Sequence, residues 1–212
     1  MKSLKVAAVT VLYYPDQEVI RKIGSYISFV EKLYVIDNSE IVDRAFSCLL
    51  EGTYEEKIRL IANHQNRGIA YALDQGIEKA YNAGFSWVLM MDQDSEFRPG
   101  TPEILFNALR KYDNSDKVGI FSGNIELIGG KNSIVDKGLT NLKTALTSGS
   151  ILNLAAYYDT GPFSERFFID QVDHEYCLRL RRRRYEILRC DAALIMHSLG
   201  DTCIHRFLGR KI

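Results

Sequence analysis

Two carboxylates one residue apart, Asp92-Gln93-Asp94-Ser95, follow the apolar run Trp87-Val88-Leu89-Met90-Met91. Acids at the end of a buried strand reach one small volume and need a positive partner, because an unpaired charge is costly to take out of water. A hard divalent cation is the natural one, since Mg²⁺ or Mn²⁺ takes one or two carboxylates together with phosphate oxygens. The plain alternative is a loop cap with both acids in water. A second group is Asp170, Asp173 and Glu175, three acids within six residues, beside Phe167 and Phe168 and leading into Tyr176-Cys177-Leu178-Arg179. A helix start favours carboxylates through its dipole and open N–H groups, which accounts for one of them. A carboxylate half-buried among aromatic rings rises toward the range of a working general base. His197 closes a further apolar run, Ala192–Met196, either as a structural residue or as a metal ligand. A zinc site of Cys190, His197, Cys203 and His205 would have a spacing that fits none of the usual pairs.

The elements that must position these groups alternate between strand and helix. Val6–Leu12 is a continuous apolar, β-branched run, as a strand covered on both faces should be. Val19, Ile20, Ile23, Ile27 and Val30 recur at helical spacing, and Leu33–Ile36 reads as a strand ending at Asp37-Asn38-Ser39. Ile58–Ala62 is a third strand; Asn66-Arg67-Gly68 then leads into a helix over 69–82, capped by Gly84, and 87–91 is a fourth strand. This alternation predicts a parallel sheet with helices on both faces. Ligands of such sheets bind at the carboxyl ends of the strands, where strand order reverses. Thr10, Tyr13, Asp37, Asn66, Arg67, Gly68, Asp92 and Asp94 stand at those ends. The second half is less regular: a helix over 102–112, a strand over 118–121, a loop or hairpin over 125–139, a helix from about 167 to 184 and a last strand over 187–196.

Composition bounds the rest. The chain has 212 residues, 46% of them hydrophobic, with 27 Lys plus Arg against 27 Asp plus Glu. That predicts one globular domain and excludes disorder and fibrous repeats. A net charge of zero removes the global argument for a nucleic-acid partner, and none is expected. Four cysteines without a CxxC pair suit a reducing compartment. The first apolar run is too short to span a membrane, and Tyr13-Tyr14-Pro15-Asp16 follows it instead of a signal-peptide cleavage site, so a cytoplasmic location is expected. Arg181-Arg182-Arg183-Arg184 reads as a solvated helix end, with an anionic surface of phospholipid headgroups or a polyprenyl diphosphate as the functional alternative.

In order along the chain, Val9-Thr10-Val11-Leu12-Tyr13, Val35-Ile36-Asp37-Asn38-Ser39, Asn66-Arg67-Gly68-Ile69-Ala70 with Gly76, Asp92-Gln93-Asp94-Ser95, Thr147-Ser148-Gly149, Asp173-His174-Glu175-Tyr176-Cys177-Leu178-Arg179 and His197-Ser198-Leu199-Gly200 resemble the GT-A glycosyltransferases of family 2. The Asp-Gln-Asp-Ser and Asn-x-Gly-Ile-Ala forms are most similar to its bacterial rhamnosyltransferase branch. The resemblance implies an α/β GT-A fold with a Rossmann-like, mostly parallel sheet in a single domain over 1–212. About 1–95 would bind the nucleotide sugar and about 96–212 the acceptor. It implies inverting transfer of a sugar, L-rhamnose, from a nucleoside diphosphate donor (dTDP-rhamnose or a UDP-sugar). The acceptor would be a glycan or polyprenyl-linked molecule in surface polysaccharide assembly, met at the inner face of the membrane. By the same resemblance, Thr10, Tyr13, Asp37, Asn66, Arg67, Gly68 and Asp92 would contact the donor. Asp94 and His197 would hold Mg²⁺ or Mn²⁺, and Asp173 would be the general base, with Asp170 and Glu175 in contention. The chain stops at Ile212, soon after the His motif, where family members usually continue, so a missing C-terminal extension is expected. Two other classes remain open: a non-catalytic nucleotide-sugar- or glycan-binding module, and a nucleotidyltransferase. The latter would carry a Gly-rich basic loop where Tyr13-Tyr14-Pro15-Asp16 stands.

Overall fold

Strand β1 (Val6–Leu12) is buried on both faces, and the period of two in a strand sends its side chains to two separate cores. Val6, Ala8 and Leu12 pack into one; Ala7 and Val9 pack into the other. A computed structural model describes residues 4–127 and 138–197, and the backbone of 206–207 and 210–211. In chain order the elements are β1, α1 (Glu18–Gly24), β2 (Lys32–Asp37), α2 (Arg44–Tyr54), β3 (Ile58–Ala62), α3 (Gly68–Asn82), β4 (Trp87–Asp92), β5 (Ser95–Phe97), α4 (Thr101–Lys111), β6 (Val118–Leu127), β7 (Leu139–Asn141), β8 (Ser150–Asn153), α5 (Leu154–Thr160), α6 (Val172–Arg182) and β9 (Glu186–His197). Helices α1, α2 and α4 cover the first face through Val19, Ile23, Phe46, Leu50, Leu105 and Phe106. Helices α3, α5 and α6 cover the second through Leu73, Ile77, Tyr157, Tyr176 and Leu180. Gly76 lets α3 close onto the sheet, since a Cβ there would lie 2.6 Å from Val9 Cγ1.

The sheet runs β3-β2-β1-β4-β8-β6-β9-β5, with β7 also on β9. β3, β2, β1, β4, β6 and β9 point one way, and β8, β7 and β5 run against them. Order reverses at β1, which has β2 on one side and β4 on the other. β5 begins just after β4 ends, yet the hydrogen-bonded path between them passes through β8, β6 and β9. The sheet must therefore curl, and its curl brings the end of β9 back to the end of β4.

The expected mixed α/β architecture holds, with differences of detail. The helix read through Val30 ends at Gly24 and gives way to a 3₁₀ turn over Ile27–Phe29. The strand expected over 118–121 runs on to Leu127; the rest of the loop read up to residue 139 lies largely outside the described residues. The helix expected from about 167 starts at Val172, because Gln171 takes a left-handed conformation with φ +66° and leaves 167–171 as a bend. β5, β8 and α5 are too short for a period to show, whereas α2, an 11-residue helix that buries Phe46 and Leu50, was passed over by the sequence reading. Two of them had a readable start: Asp43 caps α2 through the N–H groups of Ala45 and Phe46, and Asn153 caps α5 through those of Ala155 and Ala156.

Candidate active site

The carboxyl ends of β1 and β4 are laced together. Thr10 Oγ1 donates to the Met91 carbonyl at 2.9 Å. One step further out, the Tyr13 N–H donates to Gln93 Oε1 at 2.8 Å, and Gln93 Nε2 donates back to the Tyr13 carbonyl at 3.2 Å. The Asp92 N–H donates to Ser148 Oγ at 3.1 Å. This lacing fixes the loop after β4, and a cleft of about 630 Å³ opens over it. Its polar wall includes Asn38, Asn66, Asp92, Asp94, Asp173 and His197; Leu146, Phe168, Ile169 and Val172 form an apolar wall.

Asp92, Asp94 and His197 each present a ligand atom, and these atoms lie within 4.8 Å of one another. The curl of the sheet is what assembles them. Ser95 of β5 pairs with His197 of β9, so Ser95 Oγ stands 2.7 Å from His197 Nδ1, and Asp94 Oδ1 stands 3.3 Å from the same nitrogen. Burial, with repulsion from Asp94, pushes the Asp92 carboxyl up to about 6; Asp173 adds a smaller repulsion. At Asp94, burial acts upward but the hydrogen bond and charge of His197 outweigh it and hold the group below its ordinary value. The hydrogen bond to Asp94 raises His197 in turn, against burial. Two carboxylates and one imidazole nitrogen converging on one point are a donor set that a divalent ion takes, and the held-back ionisation of Asp92 marks a site short of positive charge.

A family model described as Glycosyl transferase family 2 matches residues 18–151. The chain belongs to that family. Among curated proteins this glycosyltransferase is similar to the dTDP-rhamnosyl transferase RfbF of Shigella flexneri, at 26% identity over 220 residues, 94% of this chain and 71% of the relative. That match agrees with the rhamnosyltransferase resemblance read from the motifs. Among solved structures it is similar to GalNAc-T7 with UDP, GalNAc and Mn²⁺, with a TM-score of 0.75 at 11% identity over 98% of this chain. It is also similar to residues 1–349 of S. aureus TarS in complex with UDP-GlcNAc, with a TM-score of 0.69 at 13% identity over 93% of this chain. Those two likenesses show the GT-A fold. The chain spans 45% and 59% of the length of those two structures.

Within this family 2 chain, the residues singled out from sequence fall into two groups. Tyr13, Asn66, Gly68, Asp92, Asp94, Asp170, Asp173 and His197 line the cleft. Thr10 is buried and spent on Met91; Asp37 is buried and accepts from the Ser39 N–H; Arg67 lies over the Tyr71 ring at 3.4 Å. None of these three is part of the cleft lining. Glu175 is locked to Arg179 by bonds of 2.6 and 2.9 Å and is also absent from the lining. Asp173 sits in the first turn of α6, where its Oδ1 takes the His174 N–H at 2.7 Å. Cys203 and His205, and the Ser198-Leu199-Gly200 segment, lie outside the described residues. Asn38, Gln93, Ser95, Ser148 and Phe168 were not singled out as site residues by the sequence reading, although all of them sit inside or next to motifs it had already marked.

Phe168 and Ile169 of the apolar wall are carried by a loop with three ties. Arg179 donates to the carbonyls of Thr160 and Pro162 at 3.2 and 2.8 Å. Asp74 Oδ1 on α3 accepts from Tyr157 Oη at 2.5 Å and from the Phe163 N–H at 3.1 Å. The Ile69 N–H donates to the Phe168 carbonyl at 2.8 Å. The last tie depends on Gly68, which has φ +80° and where a Cβ would meet that carbonyl oxygen at 2.7 Å. Gly68→Ala is therefore expected to cost about 1–3 kcal/mol from backbone strain and clash, measured by urea unfolding; an unchanged unfolding midpoint would mean that the Phe168 segment moves aside freely.

Asp74 makes a separate prediction. Burial pushes it up to about 6 from 3.8, with the Tyr157 and Phe163 hydrogen bonds acting in the opposite sense. The folded state thus binds the Asp74 proton more tightly than the unfolded chain, so this group's contribution to stability is fully present below about pH 4 and is lost as pH rises to about 6. Asp74→Asn keeps an oxygen for both donors and stays neutral. It is expected to lack this slope and, above pH 6, to exceed the parent by on the order of 2 kcal/mol. Denaturant midpoints measured across pH 4–7 check this; parallel profiles for the two proteins would refute it.

Proposed function

We propose that this chain is an inverting, metal-dependent glycosyltransferase that moves L-rhamnose from a nucleoside diphosphate donor, dTDP-rhamnose ahead of a UDP-sugar, to a hydroxyl of a glycan or polyprenyl-linked acceptor in surface polysaccharide assembly. The observation that carries the reading is the meeting of Asp92, Asp94, His197 and Asp173 on one cleft at the switch point of the sheet. Asp94 and His197, with Asp92, would hold Mg²⁺ or Mn²⁺. When bound, the ion supplies positive charge against the diphosphate as it leaves.

The chain's own residues do the rest. Asn38, Asn66 and Gly68 border the nucleotide end of the cleft, while Asp37 and Arg67 shape that end from behind: Asp37 holds the turn carrying Asn38, whose Nδ2 donates to the Gly68 carbonyl at 3.0 Å. Tyr13 stands half exposed at the rim. The Leu146, Phe168 and Ile169 wall offers apolar contact to the methyl group that distinguishes a 6-deoxy sugar. Asp173 takes the proton from the acceptor hydroxyl as that oxygen attacks the anomeric carbon from the face opposite the diphosphate. Its assignment over Glu175 is supported by the Arg179 ion pair, which keeps Glu175 occupied outside the cleft. A single displacement inverts the anomeric centre.

The test is a thermal-shift comparison of dTDP-rhamnose and UDP-sugars with and without Mn²⁺, followed by transfer of labelled sugar to lipid-linked glycan acceptors. A ligand at a hundred times its Kd should stabilise the fold by about 2.7 kcal/mol. Failure of every nucleoside diphosphate sugar to shift the melting temperature would sink the reading; donor binding without transfer to any acceptor, water included, would assign the chain to the binding-module class.

A further inference from the structure

The four consecutive arginines from 181 to 184 are all exposed and stand at the C-terminal end of α6. Both α6 and α3 start at the cleft and run away from it, so this end lies across the molecule from the site, about 16 Å along the 11 residues of α6. Arg183 pairs with Asp159 at 3.4 Å. Arg181, Arg182 and Arg184 make no ion pair among the described residues. Three uncompensated cations thus share one helix end.

The backbone adds an independent observation. The Arg184 N–H bonds the Arg181 carbonyl and the Tyr185 N–H bonds the Leu180 carbonyl, the paired bonds of a helix stop that places its turning residue in the left-handed region. Arg184 takes that position with φ +68°. Glycine adopts this conformation without penalty, whereas the Cβ of any other residue crowds the backbone carbonyl there at a steric cost. A fourth arginine is therefore held where the local fold favours glycine.

Apolar side chains stand beside the charges. Leu178 is 44% exposed, three and four residues before Arg181 and Arg182 and so on their face of the helix. Tyr81 and Tyr158, at the ends of α3 and α5, are also exposed, with ring centroids 3.9 Å apart, and Tyr158 adjoins the Asp159 that pairs with Arg183. Cations flanked by exposed tyrosine and leucine match a headgroup layer, where aromatic rings with a polar tip settle and basic residues meet anionic lipid. A nucleic acid would call for a wider basic surface than one helix end of a chain with no net charge.

We propose that the α6 end, centred on Arg181, Arg182 and Arg184, is a docking surface for an anionic phospholipid bilayer. Among the described residues no helix is long and apolar enough to cross a membrane, so attachment at this end would be peripheral and salt-sensitive.

The experiment is sedimentation of the full chain with vesicles of phosphatidylcholine alone and with phosphatidylglycerol added. Binding should require the anionic lipid and weaken with salt. Each basic residue at such a surface contributes roughly five-fold, so Arg181→Gln with Arg182→Gln should bind about 30-fold more weakly. Arg184→Gly separates recognition from folding: it should bind about five-fold more weakly while melting about 2–4 °C higher, because glycine suits the left-handed turn. Nucleotide-induced thermal shifts should be the same in all variants. Equal binding of the double variant and the parent would overturn the proposal. So would equal binding to both vesicle types, or tighter binding of a single-stranded RNA than of anionic vesicles at the same salt.

Discussion

Asp94→Ala is expected to abolish metal-dependent donor binding and to lower transfer by roughly 10³-fold, the scale of losing a charge-stabilising group in a shielded site. Asp94 is the member of the triad whose ionised form is secured, because His197 holds it below its ordinary value. Asp92, pushed up to about 6, has to give up a proton before it can serve a metal. Removing Asp94 therefore deletes the ligand that is charged throughout the neutral range. It also deprives His197 of the partner that raises it. Isothermal titration with Mn²⁺ and a nucleoside diphosphate reads the effect: chelator should abolish binding in the parent and added Mn²⁺ should restore it, whereas the variant should bind no better with Mn²⁺ than without. In the parent, metal affinity should weaken as pH falls, because the proton of His197, held above its ordinary value by Asp94, competes with the ion first and the Asp92 proton joins it near pH 6. Donor binding that is indifferent to metal, or unchanged in Asp94→Ala, would contradict the metal assignment.

Asp173→Asn is expected to lower kcat by about 10²–10⁴-fold, the range associated with a positioned general base. The amide keeps the size of the side chain and an oxygen for the His174 N–H, so the start of α6 should persist. Because the metal cluster lies at the end of β4, in the turn after it and on β9, and Asp173 on α6, the KM for donor and the Mn²⁺-dependent thermal shift should stay as they are. Glu175→Gln is the matched control. It disrupts the bidentate pairing with Arg179, which clamps the 160–162 carbonyls, so it should lower the melting temperature more than kcat. If Glu175→Gln instead stopped turnover in a well-folded protein while Asp173→Asn remained active, the base would be Glu175.

The parallel half of the fold was legible because its strands are buried on both faces. Val6–Leu12 and 87–91 read as continuous apolar runs, and α3 shows a clear 3.6-residue period through Ala70, Leu73, Ile77 and Ala80. Such patterns are local, and a window of about ten residues contains them. β8 is four residues and β5 is three, too short for any period to form; their places follow from which edges they meet. Gln171 delays the start of the expected helix to Val172 through a backbone conformation that no side-chain pattern announces.

The same division runs through the site. Asp92 and Asp94 were found because a doubled acid at the end of a buried strand asks for a cation wherever the strand lies. The sequence by itself determined those acids, the family motifs around them, the parallel core that points them to one edge, and the run of arginines. Only the tertiary structure decided that His197, a hundred residues further on, joins Asp94 at 3.3 Å, that Glu175 is taken up by Arg179 while Asp173 faces the cleft, and that Arg184 occupies a left-handed turn. The reason is one of range. Strand and helix periodicity is set by neighbours along the chain, whereas the curl of the sheet, which carries the end of β9 back to β4, is a sum over all of its strand pairings and is written in no single stretch of sequence.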